Sequence, residues 1–177
     1  GSKWKWEPEE FKELLDTFLP SDVLKVINHK VNCGYGAALK TGIKAAETEI
    51  AVTIDADGQH NMADVENLLK VFIENDADMV VGRRNYLKHE DLYRFIGKFI
   101  IRKFIRMLFV TTISDINSGL KVFRVDLGKR YANICPNSMA FSDIFVLIFI
   151  NQGNLVLEQP ITIHDRLSGQ STISTRT

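Results

Sequence analysis

The most constraining feature of this chain is the apolar run EIAVTI (49–54), which opens directly into Asp55-Ala56-Asp57-Gly58-Gln59-His60 and then into a helical pattern, MADVENLLKVFIEN (62–75). A short continuous apolar run bounded by turn residues reads as a strand buried on both faces. The same succession stands just before it. VLKVI (23–27) leads into Asn32-Cys33-Gly34-Tyr35-Gly36 and a helix over AALKTGIKAAE (37–47), and DMVVG (78–82) reads as a further strand. Strands alternating with helices at this spacing predict an α/β fold with a parallel sheet covered on both faces. In such sheets ligands bind beyond the carboxyl ends of the strands, where the loop starting at Asp55 must lie.

Elsewhere the pattern is more varied. Residues 7–19 (EPEEFKELLDTFL) form an amphipathic helix closed by Pro20, whereas DLYRFIGKFIIRKFIRMLF (91–109) is long, helical, apolar and basic. Beyond it come a turn from Ser114 to Gly119, a strand LKVFRV (120–125), a short helix near 126–133, a helix starting at Phe141, a strand NLVLEQPITI (154–163) and a polar tail. With no internal repeat or low-complexity linker, one domain over residues 1–177 is the economical reading.

Lys+Arg and Asp+Glu both number 22, so no global positive field favours nucleic acid, and any phosphate-binding basicity must be local. Cys33 and Cys135 form no C-x-x-C, which points to a reducing cytosol rather than a disulfide framework. No stretch reaches the roughly 18 uninterrupted apolar residues of a spanning helix.

Two aspartates one residue apart at a strand end cannot both be buried unpaired, because each ionised carboxylate would carry a large desolvation cost. One reading places Mg²⁺ or Mn²⁺ between them, with Gly58 allowing the turn and Gln59 adding an oxygen. Such an ion keeps positions for water and substrate phosphates, which points to a diphosphate-bearing substrate. The other reading is that Asp55 and Asp57 merely cap the following helix.

The ordered set Asn32-x-Gly34-x-Gly36-Ala37-Ala38-Leu39-x-x-Gly42, Asp55-Ala56-Asp57-Gly58-Gln59-His60, VVGRRN, Asp115-x-x-Ser118-Gly119-Leu120-Lys121 and Arg166-x-x-Gly169-x-Ser171 resembles family-2 glycosyltransferases with the GT-A fold. The resemblance spans roughly residues 23–173 and is nearest to dolichyl- or polyprenyl-phosphate hexose synthases. It implies a Rossmann-like, mostly parallel sheet flanked by helices. It also implies an inverting hexosyltransferase that takes a sugar from a GDP-mannose or UDP-glucose class donor, with Mg²⁺ or Mn²⁺ as cofactor. By resemblance, Asp55 approaches the donor, Asp57 binds the metal and Gln59 stands where some relatives place another metal ligand. Arg84 faces phosphate, Arg94 matches an acceptor-phosphate contact, and Arg166 matches a mobile-loop arginine that closes on the diphosphate. Gly34, Gly36 and Ser118 complete the donor-binding set, and Asp115 lies in the acceptor-side segment as a catalytic carboxylate.

An acceptor hydroxyl needs a base, whereas an acceptor phosphate is already an anion. Asp115 and Asp143 are the candidate bases, although Asp143 reads better as a cap for the helix starting at Phe141. His60 and His164 read as ordinary structural hydrogen-bonding groups. The 91–109 helix either lies in a membrane interface, where a lipid phosphate would be presented, or packs on the sheet with its lysines reaching water. The expected acceptor is a polyprenyl phosphate, the alternative a glycan hydroxyl, and the expected location the cytoplasm or the cytoplasmic face of a membrane.

The chain departs from the family at two places. Nothing in it resembles the opening strand with its P-x-Y-N-E loop or the next strand ending in Asp-Asp, elements that normally hold the nucleoside. Tyr35 occupies a turn position that is often basic. A binding module that keeps the scaffold without donor binding is therefore the non-enzymatic alternative. A nucleotidyltransferase is disfavoured by the R-x-x-G-x-S tail, and a dinucleotide site by the missing third glycine of the fingerprint.

Overall fold

A computed structural model describes residues 25–56, 58–84 and 113–163. Residues 34–163 lie within one compact unit, and residues 25–33 fall outside it. The elements of the unit are α1 (Tyr35–Ala45), β1 (Ile50–Thr53), α2 (Met62–Glu74), β2 (Met79–Arg84), β3 (Lys121–Arg124), α3 (Val125–Ala132), α4 (Phe141–Asn151) and β4 (Val156–Ile161). The helices expected over 7–19 and 91–109 and the polar tail lie outside the described residues.

The strand order is β1-β3-β2-β4. β2 and β4 are parallel, while β3 is antiparallel to both of its neighbours. The sheet is therefore mixed, with three of its four described strands running one way as a mostly parallel sheet requires, and β3 departing from the all-parallel reading. β1, β2 and β4 share a direction and β3 alone opposes it. β3 reaches the sheet through the loop 113–120, which runs along the carboxyl ends of β1 and β2. Thr53 Oγ1 donates to Gly119 O at 3.0 Å, and Gly82 N donates to Leu120 O at 2.9 Å. A strand that starts from that end can only run back the other way, without the crossover a parallel neighbour needs.

Residues 25–27 of the expected strand VLKVI are not in a strand, and Val26 and Ile27 are exposed. Its apolar pattern is satisfied only by pairing, and among the described residues no strand pairs with it.

Both faces of the sheet are covered, as the apolar runs require. In β2 the side chains alternate with the period of two that a pleated strand imposes. Met79 and Val81 join Ile43, Phe123, Tyr131, Phe141, Phe145 and Phe149 on one face. Val80 joins Val65, Leu68, Phe72, Leu120 and Val122 on the other. Phe141, Phe145 and Phe149 recur every four residues and so line one side of α4. Phe145 sits at their centre, with ring centroids 5.1 Å from Phe141, 5.1 Å from Phe149 and 5.2 Å from Phe123.

α2 starts at Asn61, whose side chain accepts from Ala63 N at 2.9 Å, so Asn61 supplies the cap one of the aspartates was considered for. Asp64, buried in its first turn, accepts from Thr162 N at 3.0 Å and ties the helix to the end of β4.

α1 begins where Gly36 N donates to Asn137 O at 2.9 Å. A Cβ on Gly36 would stand 2.9 Å from both Asn137 C and Phe141 Cβ. Phe145→Ala is expected to cost about 3–5 kcal/mol as a core truncation, and Gly36→Ala about 1–3 kcal/mol through overpacking. Urea denaturation midpoints at constant m-value measure both.

Candidate active site

Because β3 runs backwards, its first residue lies level with the last residue of β1 and the middle of β2, which runs on past it to Arg84. Lys121 pairs with Thr53 on one side and Val81 on the other. The loop ahead of β3 consequently meets the residues just beyond β1 and the end of β2, and polar side chains from all three converge.

Asp55 lies just beyond β1 and is half-buried. Its carboxylate rests against Gly119, where an added Cβ would overlap Oδ1, Oδ2 and Cγ at less than van der Waals distance. The absence of a side chain at 119 is thus what lets Asp55 occupy its place. Asp57 lies outside the described residues. Gly58 follows with φ 74°, the left-handed conformation glycine adopts without strain. His60 is half-buried, and its Nδ1 has no hydrogen-bond partner among the described residues.

Arg84 ends β2 and meets Asp115 in a two-pronged ion pair. Nε lies 2.8 Å from Oδ2 and Nη2 lies 2.9 Å from Oδ1, and the Arg84 backbone N–H also donates to Oδ2 at 3.1 Å. Asp115 is only 4% exposed. Glu158 of β4 holds the backbone beneath it, accepting from Asp115 N at 2.7 Å and from Ser114 Oγ at 2.8 Å. Two residues expected to act separately, one on phosphate and one on the acceptor, are here a single planar pair, the geometry in which guanidinium and carboxylate bind most strongly.

Ser118 is fully buried. Its N–H donates to Asp115 O at 3.3 Å, its hydroxyl accepts from Leu120 N at 3.3 Å, and its carbonyl accepts from Ser142 Oγ at 3.2 Å and from Lys121 Nζ. Gly34, with φ 93°, and Gly36 face the backbone of Pro136 and Asn137. In this arrangement these three residues shape the turns around the site. Arg94 and Arg166 lie outside the described residues.

Asp143 stands in the first turn of α4. The cap position is Ala140, with no side-chain cap, so the capping reading of Asp143 does not hold. Its Oδ1 is buried without a hydrogen-bond partner among the described residues. Burial raises the Asp143 pKa, and Lys121 and Arg84 oppose that rise while Asp115 adds to it.

Lys121, Ser142, Glu158 and Tyr35 belong to the site, although Lys121 enters the sequence reading only as the end of a motif, Tyr35 only as a departure from the family's turn, and Ser142 and Glu158 have no role in it. Lys121 carried a legible signal. It lies two residues before Phe123 in a strand whose alternate positions face the aromatic core, so an inward ammonium was implied. Tyr35 hydrogen-bonds to Ser142 and Asp55, and burial, followed by the Asp55 charge, pushes its pKa up to about 12. The phenol stays protonated and able to donate.

Among the described residues, no three His, Cys, Asp or Glu side chains stand close enough together to hold a metal ion. Asp55 nonetheless offers hard carboxylate oxygens at a strand end next to the Asp57–Gln59 loop, a donor chemistry that fits Mg²⁺ or Mn²⁺.

The fold is a mixed α/β sheet flanked by helices with a polar cluster at its strand ends, and comparison with known proteins identifies its family. The model of glycosyl transferase family 2 matches residues 7–136, and the chain belongs to that family. An uncharacterised protein of Methanocaldococcus jannaschii is 33% identical over 81% of this chain and 63% of its own length. The dolichyl-phosphate beta-glucosyltransferase of Dictyostelium discoideum is 30% identical over 63% of this chain and 37% of its own. The UDP-N-acetylglucosamine–dolichyl-phosphate N-acetylglucosaminyltransferase of Methanococcus voltae is 34% identical over 55% of this chain and 41% of its own. The chain thus spans between 37% and 63% of the length of these relatives. Glucosyl-3-phosphoglycerate synthase of Mycobacterium tuberculosis, solved with Mn²⁺, UDP-glucose and phosphoglyceric acid, shares the fold. The TM-score is 0.59 over 85% of this chain and 51% of that one, at 13% identity.

Gly119→Ala should cost about 1–3 kcal/mol by overpacking against Asp55, and the cost should largely vanish in an Asp55→Ala background, a coupling that a double-mutant cycle measures. A pH dependence follows from Lys121, whose complete burial lowers its pKa from 10.5 to about 8. At and below pH 8 the folded chain carries the full cost of the buried ammonium. As pH rises from about 8 towards 10.5 the folded state loses that proton before the unfolded state does, and the cost is relieved. The stability of the wild type should therefore rise relative to Lys121→Met across that window, in urea denaturation run at stepped pH.

Proposed function

We propose that this chain transfers a hexose, with inversion, from a nucleotide-sugar donor of the GDP-mannose or UDP-glucose class to a polyprenyl or dolichyl phosphate. The convergence of Asp55, the Arg84–Asp115 pair and the loop ahead of β3 at the carboxyl ends of the strands carries the reading. The dolichyl-phosphate acceptors named for the two relatives above support the acceptor class.

Asp55 and Asp57 would hold Mg²⁺ or Mn²⁺, with Gln59 adding an oxygen. The ion, when bound, supplies positive charge against the diphosphate leaving group. Arg84 adds guanidinium charge at the same strand end, fixed in orientation by Asp115 before any substrate arrives. Arg166 would close on the diphosphate and Arg94 would face the acceptor phosphate. Because that phosphate is already anionic, it attacks the anomeric carbon without a protein base. Segment 91–109 would bring the site to a membrane surface. Among the described residues no helix is long and apolar enough to cross a membrane.

A second reading, transfer to a glycan hydroxyl, is favoured by Asp143. Its buried, unpartnered Oδ1 and raised pKa suit a group that accepts a proton from a hydroxyl.

The decisive measurement is calorimetric titration of UDP-glucose and GDP-mannose with and without Mn²⁺, followed by product assays on a short polyprenyl phosphate and on free glycans. Manganese-dependent binding of one donor and glycosylation of the polyprenyl phosphate are expected. Asp57→Ala should abolish turnover while the circular dichroism of the fold is kept. Transfer confined to glycans and lost in Asp143→Asn would establish the second reading. Failure of both donors to bind under either condition would overturn the enzymatic assignment.

A further inference from the structure

Lys121 is a lysine in the wrong place for a lysine. It is 3% exposed, at the start of a strand whose next residues, Val122 and Phe123, are completely buried. Its direct partners are neutral, the carbonyl of Ser118 and the hydroxyl of Ser142. Two neutral acceptors do not offset the desolvation of an ammonium, which in proteins costs several kcal/mol. An apolar residue at this position would fold more cheaply unless the charge answers other charges.

Such charges stand on the neighbouring segments. Asp143 on α4, Asp115 in the loop ahead of β3 and Asp55 beyond β1 each favour the ammonium, in that order, and Arg84 at the end of β2 opposes it. The contacts of Lys121 reach the same segments, since Ser142 precedes Asp143 in α4 and the Ser118 N–H donates to Asp115 O. The contacts also form a mechanical chain. Ser118 O is gripped by Lys121 and by Ser142, whose hydroxyl also touches Lys121. The next residue, Gly119, is the seat of the Asp55 carboxylate.

We infer that Lys121 is a positioning residue, the internal counter-ion that holds the carboxylates of Asp143, Asp115 and Asp55 around one site and locks the Ser118–Gly119 turn to α4 through Ser142. It touches neither donor nor acceptor. It acts through the carboxylates, opposing the rise that burial imposes on the Asp143 pKa and keeping the floor beneath Asp55 fixed. The consequence for sugar transfer rests on the proposed function above, whereas the electrostatic role does not.

Carboxylate ¹³C NMR titration of the full chain labelled in aspartate tests this directly, with Asp115 and Asp143 assigned from their Asn variants. In Lys121→Met the Asp143 midpoint should move up by about one pH unit or more, roughly a tenfold gain in proton affinity, as expected when an opposing charge is withdrawn. Lys121→Arg, which restores the charge, should return most of that shift. Ser142→Ala keeps the charge and loosens its tether, so a smaller upward shift of Asp143 is expected. If Asp143 and Asp115 titrate in Lys121→Met as they do in the wild type, with only stability altered, the role is structural and the inference is overturned. Should Lys121→Met fail to fold, an unchanged Asp143 midpoint in Ser142→Ala overturns it equally. A chain that binds no nucleotide sugar yet shows these shifts would sink the transferase reading and leave Lys121 as assigned.

Discussion

The reversal of β3 between β1 and β2 is the constraint on which the rest depends. Inserted antiparallel, it delivers the loop 113–120 to the carboxyl ends of its neighbours, where strand-end loops already gather. A parallel strand in that slot would present the opposite end of its chain there. Asp115, Ser118, Gly119 and Lys121 would then lie far from Asp55 and Arg84, and no polar site could form from them. Close fit completes the arrangement, because Gly119 has no side chain to exclude Asp55.

The site is held by charges answered inside the protein. Arg84 and Asp115 satisfy each other with two parallel hydrogen bonds, and Glu158 fixes the backbone of Asp115 from a neighbouring strand. Lys121 stands buried beside them, held by Ser118 O and Ser142 Oγ. Buried groups of this kind cost stability when considered singly and act as a set, since each is tolerable only while its partners stay in place. The packed rings of α4, one pair stacked and one edge-to-face, supply the compensating apolar burial on the same face of the sheet. Asp143 is the member of the set with an oxygen that has no hydrogen-bond partner among the described residues, and it lies at the amino end of that helix.

Much of this was legible from periodicity. The apolar runs at 49–54, 78–82 and 120–125 and the helical patterns after 37, 62 and 141 correspond to observed elements, because the strand period and the four-residue spacing of the α4 rings are local properties of the chain. The run 49–54 reads as buried on both faces, yet β1 is half-buried throughout and lies at the edge of the four described strands. VLKVI (23–27) shows the limit. An apolar pattern states a capacity to pair, and pairing needs a neighbour that the pattern does not contain. Asp143 shows a second limit. An acidic residue near a helix start reads as a cap by default, yet the chain turns into α4 at Ala140 and leaves the carboxylate pointing elsewhere.

By itself the sequence determined that strands and helices alternate, that a pair of aspartates follows an apolar strand, and that its motifs occur in the order of a family-2 glycosyltransferase. Those are matters of spacing along the chain, written in side-chain type and period. Tertiary structure alone decided that Arg84 and Asp115 are one ion pair, that Asp55 sits on Gly119, and that the charge of a lysine within a core strand is favoured by three carboxylates. Each of these joins residues distant in sequence through strand order and the direction of β3, and long-range pairing leaves no periodic trace in the residues that make it.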